Sequence, residues 1–199
     1  MKSLTSTICL LFFFGTTNAQ TDITTEFLDY IFQTKTNIYY AENSNKYMIE
    51  TMHDELKNDT LFNNGFINSK ATDPNAKIIL SNAEREYVLG KVEALKKFRW
   101  EEGQIKNGKV MPKSEINAVY RSSVSKGWKK SLKVWEHIHE KYGPGFYTFS
   151  KPILLRNDTL CIFYIDFHCG GLCGNGEFSA YIKQEGEWIK YCVISNWVS

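Results

Sequence analysis

The sequence predicts an α+β fold in which N-terminal helices pack on a C-terminal four-stranded antiparallel meander. Two patterns carry this. Apolar residues recur every three to four positions through the first two-thirds of the chain, then every second position from residue 146 onward. The strand-like runs also follow one another with no helix between them, which segregates helix from strand as α+β folds do.

Residues 1–19 read as a signal peptide. Lys2 precedes the apolar run Ile8-Cys-Leu-Leu-Phe-Phe-Phe14, and the small residues Thr17 and Ala19 lie three and one positions before a cut after Ala19. The run is far short of the ~20 residues that span a bilayer, and no later segment comes closer. The expected product is exported, periplasmic or secreted, and forms one domain over residues 20–199. Its helical part covers 20–143 and its meander 146–197. Cleavage would remove Cys9.

In the helical part, residues 22–33 place Ile23, Phe27, Leu28 and Ile31 on one face, and residues 43–57 do the same with Tyr47, Met48, Met52 and Leu56. Residues 58–77, with Asn63-Asn64-Gly65 and Asp73-Pro74-Asn75, read as a loop. Ser81-Asn-Ala-Glu84 is a capping box, followed at helical spacing by Tyr87, Val88, Val92, Leu95 and Phe98, so this helix should run to about Arg99. A turn over 103–108 and a short helix over 114–120 come next. The last helix carries Trp128, Leu132, Trp135, Ile138 and Tyr142 at core spacing and stops at Gly143-Pro144.

The meander consists of strands over 146–155, 160–167, 177–184 and 188–197. Arg156-Asn-Asp158 and Glu185-Gly186 serve as tight hairpin turns, while a Cys/Gly segment joins the middle pair. Pro152 suits an edge or a bulge of the first strand.

Composition is that of a globular domain with a real core, 43% hydrophobic and 23% charged. A formal net charge of only +2, with lysines scattered among acids, gives no basic stripe and excludes nucleic acid as an expected partner. No cofactor motif is present, so no cofactor is expected; the expected contacts are the cell envelope or a small ligand.

The chemistry concentrates in Asp166-Phe-His-Cys-Gly-Gly-Leu-Cys-Gly-Asn-Gly176. After loss of Cys9 the cysteines number four (Cys161, Cys169, Cys173 and Cys192), and in an oxidising compartment disulfides are the default. Cys169 and Cys173 would close a small loop while Cys161 and Cys192 staple strands; four cysteines allow three pairings, and sequence does not choose. By chain-entropy reasoning the small loop contributes about 2 kcal/mol and the longer one about 3.7. If Gln184 pairs with Glu187, Cys192 falls opposite Ser179, and the longer bridge needs a register shift. Redox catalysis is disfavoured because the cysteines are four apart and no helix start follows. A Cys169 nucleophile is disfavoured because His168, its neighbour on a strand, points to the opposite face. Asp166 and His168 share a face, so with Cys169, Cys173 and a distant His53 they are candidate zinc ligands or acid/base residues. His137 and His139 diverge on their helix. Gly170, Gly171, Gly174 and Gly176 permit positive φ, and such a turn can offer N–H groups to an anion.

Ser150-Lys-Pro-Ile153, Cys161-Ile-Phe-Tyr164, Cys169-Gly-Gly-Leu-Cys-Gly-Asn-Gly176 and Gly186-Glu-Trp188 resemble a recurring pattern of uncharacterised exported proteins of Bacteroidetes-type bacteria. The resemblance covers roughly the last fifty residues and implies fold and export, with no activity or catalytic residue. Asp59-Thr-Leu61 and Asp158-Thr-Leu160 are similar to the Asp-Thr/Ser-aliphatic site at which exported proteins of such bacteria are O-glycosylated, which implies Thr60 and Thr159 as acceptors. Both threonines also complete Asn-x-Thr sequons. The expected function is a non-catalytic exported binding or envelope-associated module. The alternative is a metal-dependent or hydrolytic enzyme using Asp166 and His168.

Overall fold

A computed structural model describes residues 22–65, 73–124 and 128–199; the predicted signal peptide lies outside them. In chain order the elements are α1 (Ile23–Phe32), β1 (Ile38–Ala41), α2 (Lys46–Glu55), β2 (Thr60–Phe62), β3 (Lys77–Ile79), α3 (Asn82–Ala94), β4 (Gly108–Met111), α4 (Lys113–Val124), α5 (Trp128–Tyr142), β5 (Phe146–Phe149), β6 (Ile153–Leu155), β7 (Leu160–Gly170), β8 (Cys173–Gln184) and β9 (Glu187–Val198). The fold is α+β, and β7, β8 and β9 form the expected antiparallel run.

The sheet is larger than the predicted four strands. It has seven, in the order β4-β1-β5-β7-β8-β9, with β6 also paired to β7, and the added strands β1 and β4 are parallel to each other. Each is only four residues long, too short to show an alternating pattern of its own. The predicted first strand is two strands because Pro152 has no N–H for the ladder. Ser150 bridges the break: its N–H donates to Tyr164 O at 2.9 Å, and its hydroxyl accepts from Tyr164 N at 3.0 Å.

Helices cover both faces of this sheet rather than one. Alternation along β7 sends Cys161 and Phe163 to a cluster with Phe27, Leu28 and Phe32 of α1. Ile162 and Tyr164 go to the opposite cluster, with Met48 and Met52 of α2 and Val88 and Val92 of α3. On that same side α4 and α5 pack Ile116, Val119, Trp135 and Ile138 against Phe146 and Ala41. Phe27 alone meets Phe163, Tyr181 and Trp188 edge-on at 5.1–5.2 Å, the favoured aromatic geometry. Three residues predicted inside are outside: Tyr47, Tyr87 and Leu132 are 57%, 46% and 41% exposed.

The alternation also overturns the Cys161–Cys192 staple. Ala180 pairs with Ile162 on one side and with Cys192 on the other, so Cys192 lies on the α2/α3 face while Cys161 lies on the α1 face. Both are buried free thiols, with a layer of backbone between them. Burial raises both thiol pKa values, that of Cys192 to about 11.

Local signals hold where the chemistry is local. Ser81 Oγ accepts from Glu84 N at 3.2 Å and Glu84 Oε2 accepts from Ser81 N at 2.8 Å, the reciprocal cap. That helix ends at Ala94, short of Arg99, and gives way to turns. Glu185 and Gly186 take φ 51° and 87° between paired Gln184 and Glu187, a two-residue hairpin whose twist matches the strands. The other hairpin joins Leu155 to Leu160, with Arg156, Asn157 and Asp158 all left-handed at φ 53–63°. Arg156 is held there by Glu84 (2.8 Å) and Ile79 O (2.7 Å).

The predicted loop over 58–77 instead carries β2 and runs into β3, an antiparallel pair whose Leu61 and Ile78 are buried. It docks on the edge of β9: Asn64 N donates to Val193 O at 2.8 Å, and Val193 N to Asn63 Oδ1 at 3.0 Å. The rest of that loop, residues 66–72, lies outside the described residues.

Candidate functional site

Two arrangements carry the chemistry-bearing side chains, one on each face of the sheet. The first is the Asp166–His168 pair. Strand alternation puts both side chains on the face covered by α2, α4 and α5, and His168 Nε2 lies 3.0 Å from Asp166 Oδ1. Asp166 is 2% exposed, and its oxygens accept from Asn45 Nδ2 at 3.3 Å and from Thr148 N at 3.2 Å. Nε2 makes no aligned hydrogen bond, so the two groups are neighbours without a directed bond between them.

Aromatic rings enclose the histidine. Phe146 stacks on it at 5.1 Å, Tyr120 meets it edge-on at 6.1 Å and Trp197 stands 5.9 Å away. Trp197 is itself fixed by donating Nε1–H to Tyr164 Oη at 3.0 Å. Burial, then the Asp166 charge, raises the Tyr120 and Tyr164 pKa values, so both phenols stay neutral. The pair therefore ties α2, through its capping residue Asn45, to β5 and β7 in a largely buried polar seam between two apolar clusters.

The Cys/Gly segment is the tip of the β7–β8 hairpin. Cys169 and Cys173 form a disulfide, and Cys169 is the extra residue of a bulge between the pairs His168–Gly174 and Gly170–Cys173. His139 Nε2 contacts Cys169 O at 2.9 Å and fastens α5 to the tip. The disulfide removes both sulfurs from the expected ligand set. Among the described residues no three His, Cys, Asp or Glu side chains gather where they could hold a metal. Nor do the glycines make an anion nest, since Gly170, Gly171, Gly174 and Gly176 are all outside the left-handed region that positive φ defines. They supply room: a Cβ on Gly176 would lie 2.3 Å from Trp197 Nε1 and 2.8 Å from Asp166 Cβ.

The remaining predicted residues are dispersed. His53 is half-exposed and lies 4.0 Å from Asp54, and His137 lies 3.2 Å from Glu115. Thr159 is exposed, its hydroxyl donating to Arg156 O at 2.7 Å, while Thr60 is half-buried and donates to Asp59 Oδ1 at 2.9 Å.

The second arrangement is one that sequence reasoning missed. Ten residues of α1 reach about 15 Å, whereas the eleven of β7 reach about 36 Å. One end of the α1 face is left uncovered, and there lies an open groove of about 840 Å³. Its floor is the cross-strand pair Tyr147 and Phe167, ring centroids 4.7 Å apart, with Ile165 beside them. Asn175, Glu177 and Asn196 line it from β8 and β9, and Glu177 pairs with Lys190. The loop after α1, with Lys35, lies along it as well. Asn196 lines the groove, while its Oδ1 is itself buried with no hydrogen-bond partner. These residues come from four separate stretches of sequence, so no local motif marks them; the one available signal was the density of aromatic residues in the strand-like runs.

In comparisons with known proteins, no family model, no curated protein and no solved structure matches this chain.

Proposed function

We propose that this chain is an exported, non-catalytic binding domain whose working surface is the uncovered end of the sheet beside α1. The observation that carries the reading is the 840 Å³ groove, in which an aromatic floor meets amides, a carboxylate and an ammonium. Binding sites combine an apolar surface with a few placed polar groups in this way, in volumes of roughly 300–1,000 Å³. A ligand with one flat apolar face and a polar perimeter fits, and a sugar ring has that chemistry: its C–H face stacks on Tyr147 and Phe167 while hydroxyls reach Asn175, Asn196 and Glu177.

Export rests on the signal-like segment of residues 1–19, and the Cys169–Cys173 disulfide supports a periplasmic or extracellular location. The enzyme alternative loses ground to burial. A general acid or base must come within hydrogen-bond reach of its substrate, and Asp166 is 2% exposed with its oxygens occupied.

A glycan array probed with the purified protein tests the reading. Binding of a neutral oligosaccharide that disappears in Tyr147→Ala and weakens in Asn196→Ala, with the glycan recovered unhydrolysed, is the expected outcome. Binding to no glycan, or undiminished binding by both variants, would sink it.

A further inference from the structure

A second groove lies between α3 and the β5–β6 break, with Thr24 of α1 also in its lining, and has a volume of about 460 Å³. Tyr87, Phe98, Pro152 and Leu154 give it apolar walls. Among the described residues its charged lining consists of Lys91, Lys97 and Lys151, with no carboxylate. Among the described residues the lysine ion pairs are made elsewhere, by Lys46, Lys57, Lys96, Lys141, Lys183 and Lys190. Two of the three lysines lie over the groove's own rings: Lys91 Nζ is 5.0 Å from the Tyr87 centroid and Lys151 Nζ 5.5 Å from that of Phe98.

The chain as a whole carries a formal charge of only +2, so three uncompensated cations around one groove form a local field that overall charge does not explain. Like charges gathered beside apolar surface repel one another, and an anion relieves that repulsion. The apolar walls add a second requirement. Burying Tyr87, which is 46% exposed, and the open side of Phe98 needs a hydrocarbon or aryl body attached to the charge. Lysine ammoniums on flexible stems act as point charges, so three of them can gather around a single anionic head without demanding a bidentate geometry.

We infer that this groove binds an anionic amphiphile, a carboxylate carried on an apolar chain, at a site independent of the sheet groove. The carboxylate sits among Lys91, Lys97 and Lys151, and the chain lies along Phe98, Pro152 and Leu154 toward Tyr87.

Dodecanoate, titrated calorimetrically into the purified protein below its micelle concentration and at low salt, tests this, with dodecanol as the uncharged control. One site is expected. The variant Lys91→Gln/Lys97→Gln/Lys151→Gln should bind about tenfold more weakly, the summed effect of three exposed charge contacts. Tyr87→Ser should lose a few-fold, and Tyr147→Ala, in the other groove, should bind as the unmodified protein does. Circular dichroism confirms that each variant is folded. No saturable binding of dodecanoate, equal binding of dodecanol, or undiminished binding by the triple variant would overturn the inference.

Discussion

Asp166 and His168 project from the same face of β7 with Nε2 3.0 Å from Oδ1, yet the carboxylate is 2% exposed and is held by α2 and β5 as well as by its own strand. A pair that looks catalytic in sequence thus fastens three elements together. Asp166→Ala should destabilise the protein by about 3 kcal/mol, because the Thr148 N–H and the Asn45 amide lose their buried acceptor. Asp166→Asn keeps one carbonyl oxygen and should cost about half as much. Urea midpoints measure both, and a loss under about 0.5 kcal/mol for the alanine variant would contradict the structural role.

Acid stability should have a contribution from Glu84. The Arg156 side chain, then the Ser81 N–H, hold its carboxyl down at about 2 against an ordinary 4.5. A folded-state pKa below the unfolded one stabilises above the unfolded value and is lost as pH falls through the folded value. The window is therefore pH 4.5 down to 2. Glu84 is partly exposed, so solvent screening reduces the contribution to about 1 kcal/mol. Glu84→Gln should flatten the stability profile across that window while lowering the plateau above it; parallel profiles for the two proteins would refute the link.

Cysteine chemistry separates the four described cysteines sharply. Without reduction and without denaturant, alkylation should label neither Cys161 nor Cys192, both buried, and denaturation should then add two labels. Reduction should open Cys169–Cys173, where Cys173 is exposed, at a stability cost of about 2 kcal/mol. Mass spectrometry after each step counts the labels. No labels after denaturation would mean that Cys161 and Cys192 are joined, which their placement on opposite faces forbids.

Gly145 holds φ +151°, and a Cβ there would lie 2.0 Å from His168 O. Backbone cannot yield as a side-chain tip can, so Gly145→Ala should cost more than 2 kcal/mol by pushing β5 away from β7. A thermal melt compares it with Gly103→Ala, at another left-handed glycine where a Cβ meets nothing within 4 Å; equal losses would show that contact with His168 is irrelevant.

What sequence made legible here was local. Ser81 and Glu84 cap each other across three residues, Glu185-Gly186 sets a hairpin register, and Cys169 and Cys173 are close enough along the chain that one bulge joins them. Long-range pairings left weaker traces. Ile38–Ala41 and Gly108–Met111 are strands because they find each other across some seventy residues. Cys161 and Cys192 fall on opposite faces because bulges in the β8–β9 ladder shift the register that a plain hairpin count predicts. Tyr147, Phe167 and Asn196 converge only once the strand order is known, and the surface they form is bare only because α1 stops at Phe32.

The proposed binding mode requires ligand to meet the α1 face of the sheet and to leave the Asp166–His168 pair untouched. Amide chemical-shift mapping with the glycan selected on the array tests it most directly. The predicted result is a set of shifts confined to Lys35, Tyr147, Ile165, Phe167, Asn175, Glu177 and Asn196. Shifts centred instead on Asn45, Tyr120 and His168 would contradict it and return the Asp166–His168 pair to the role of a functional site.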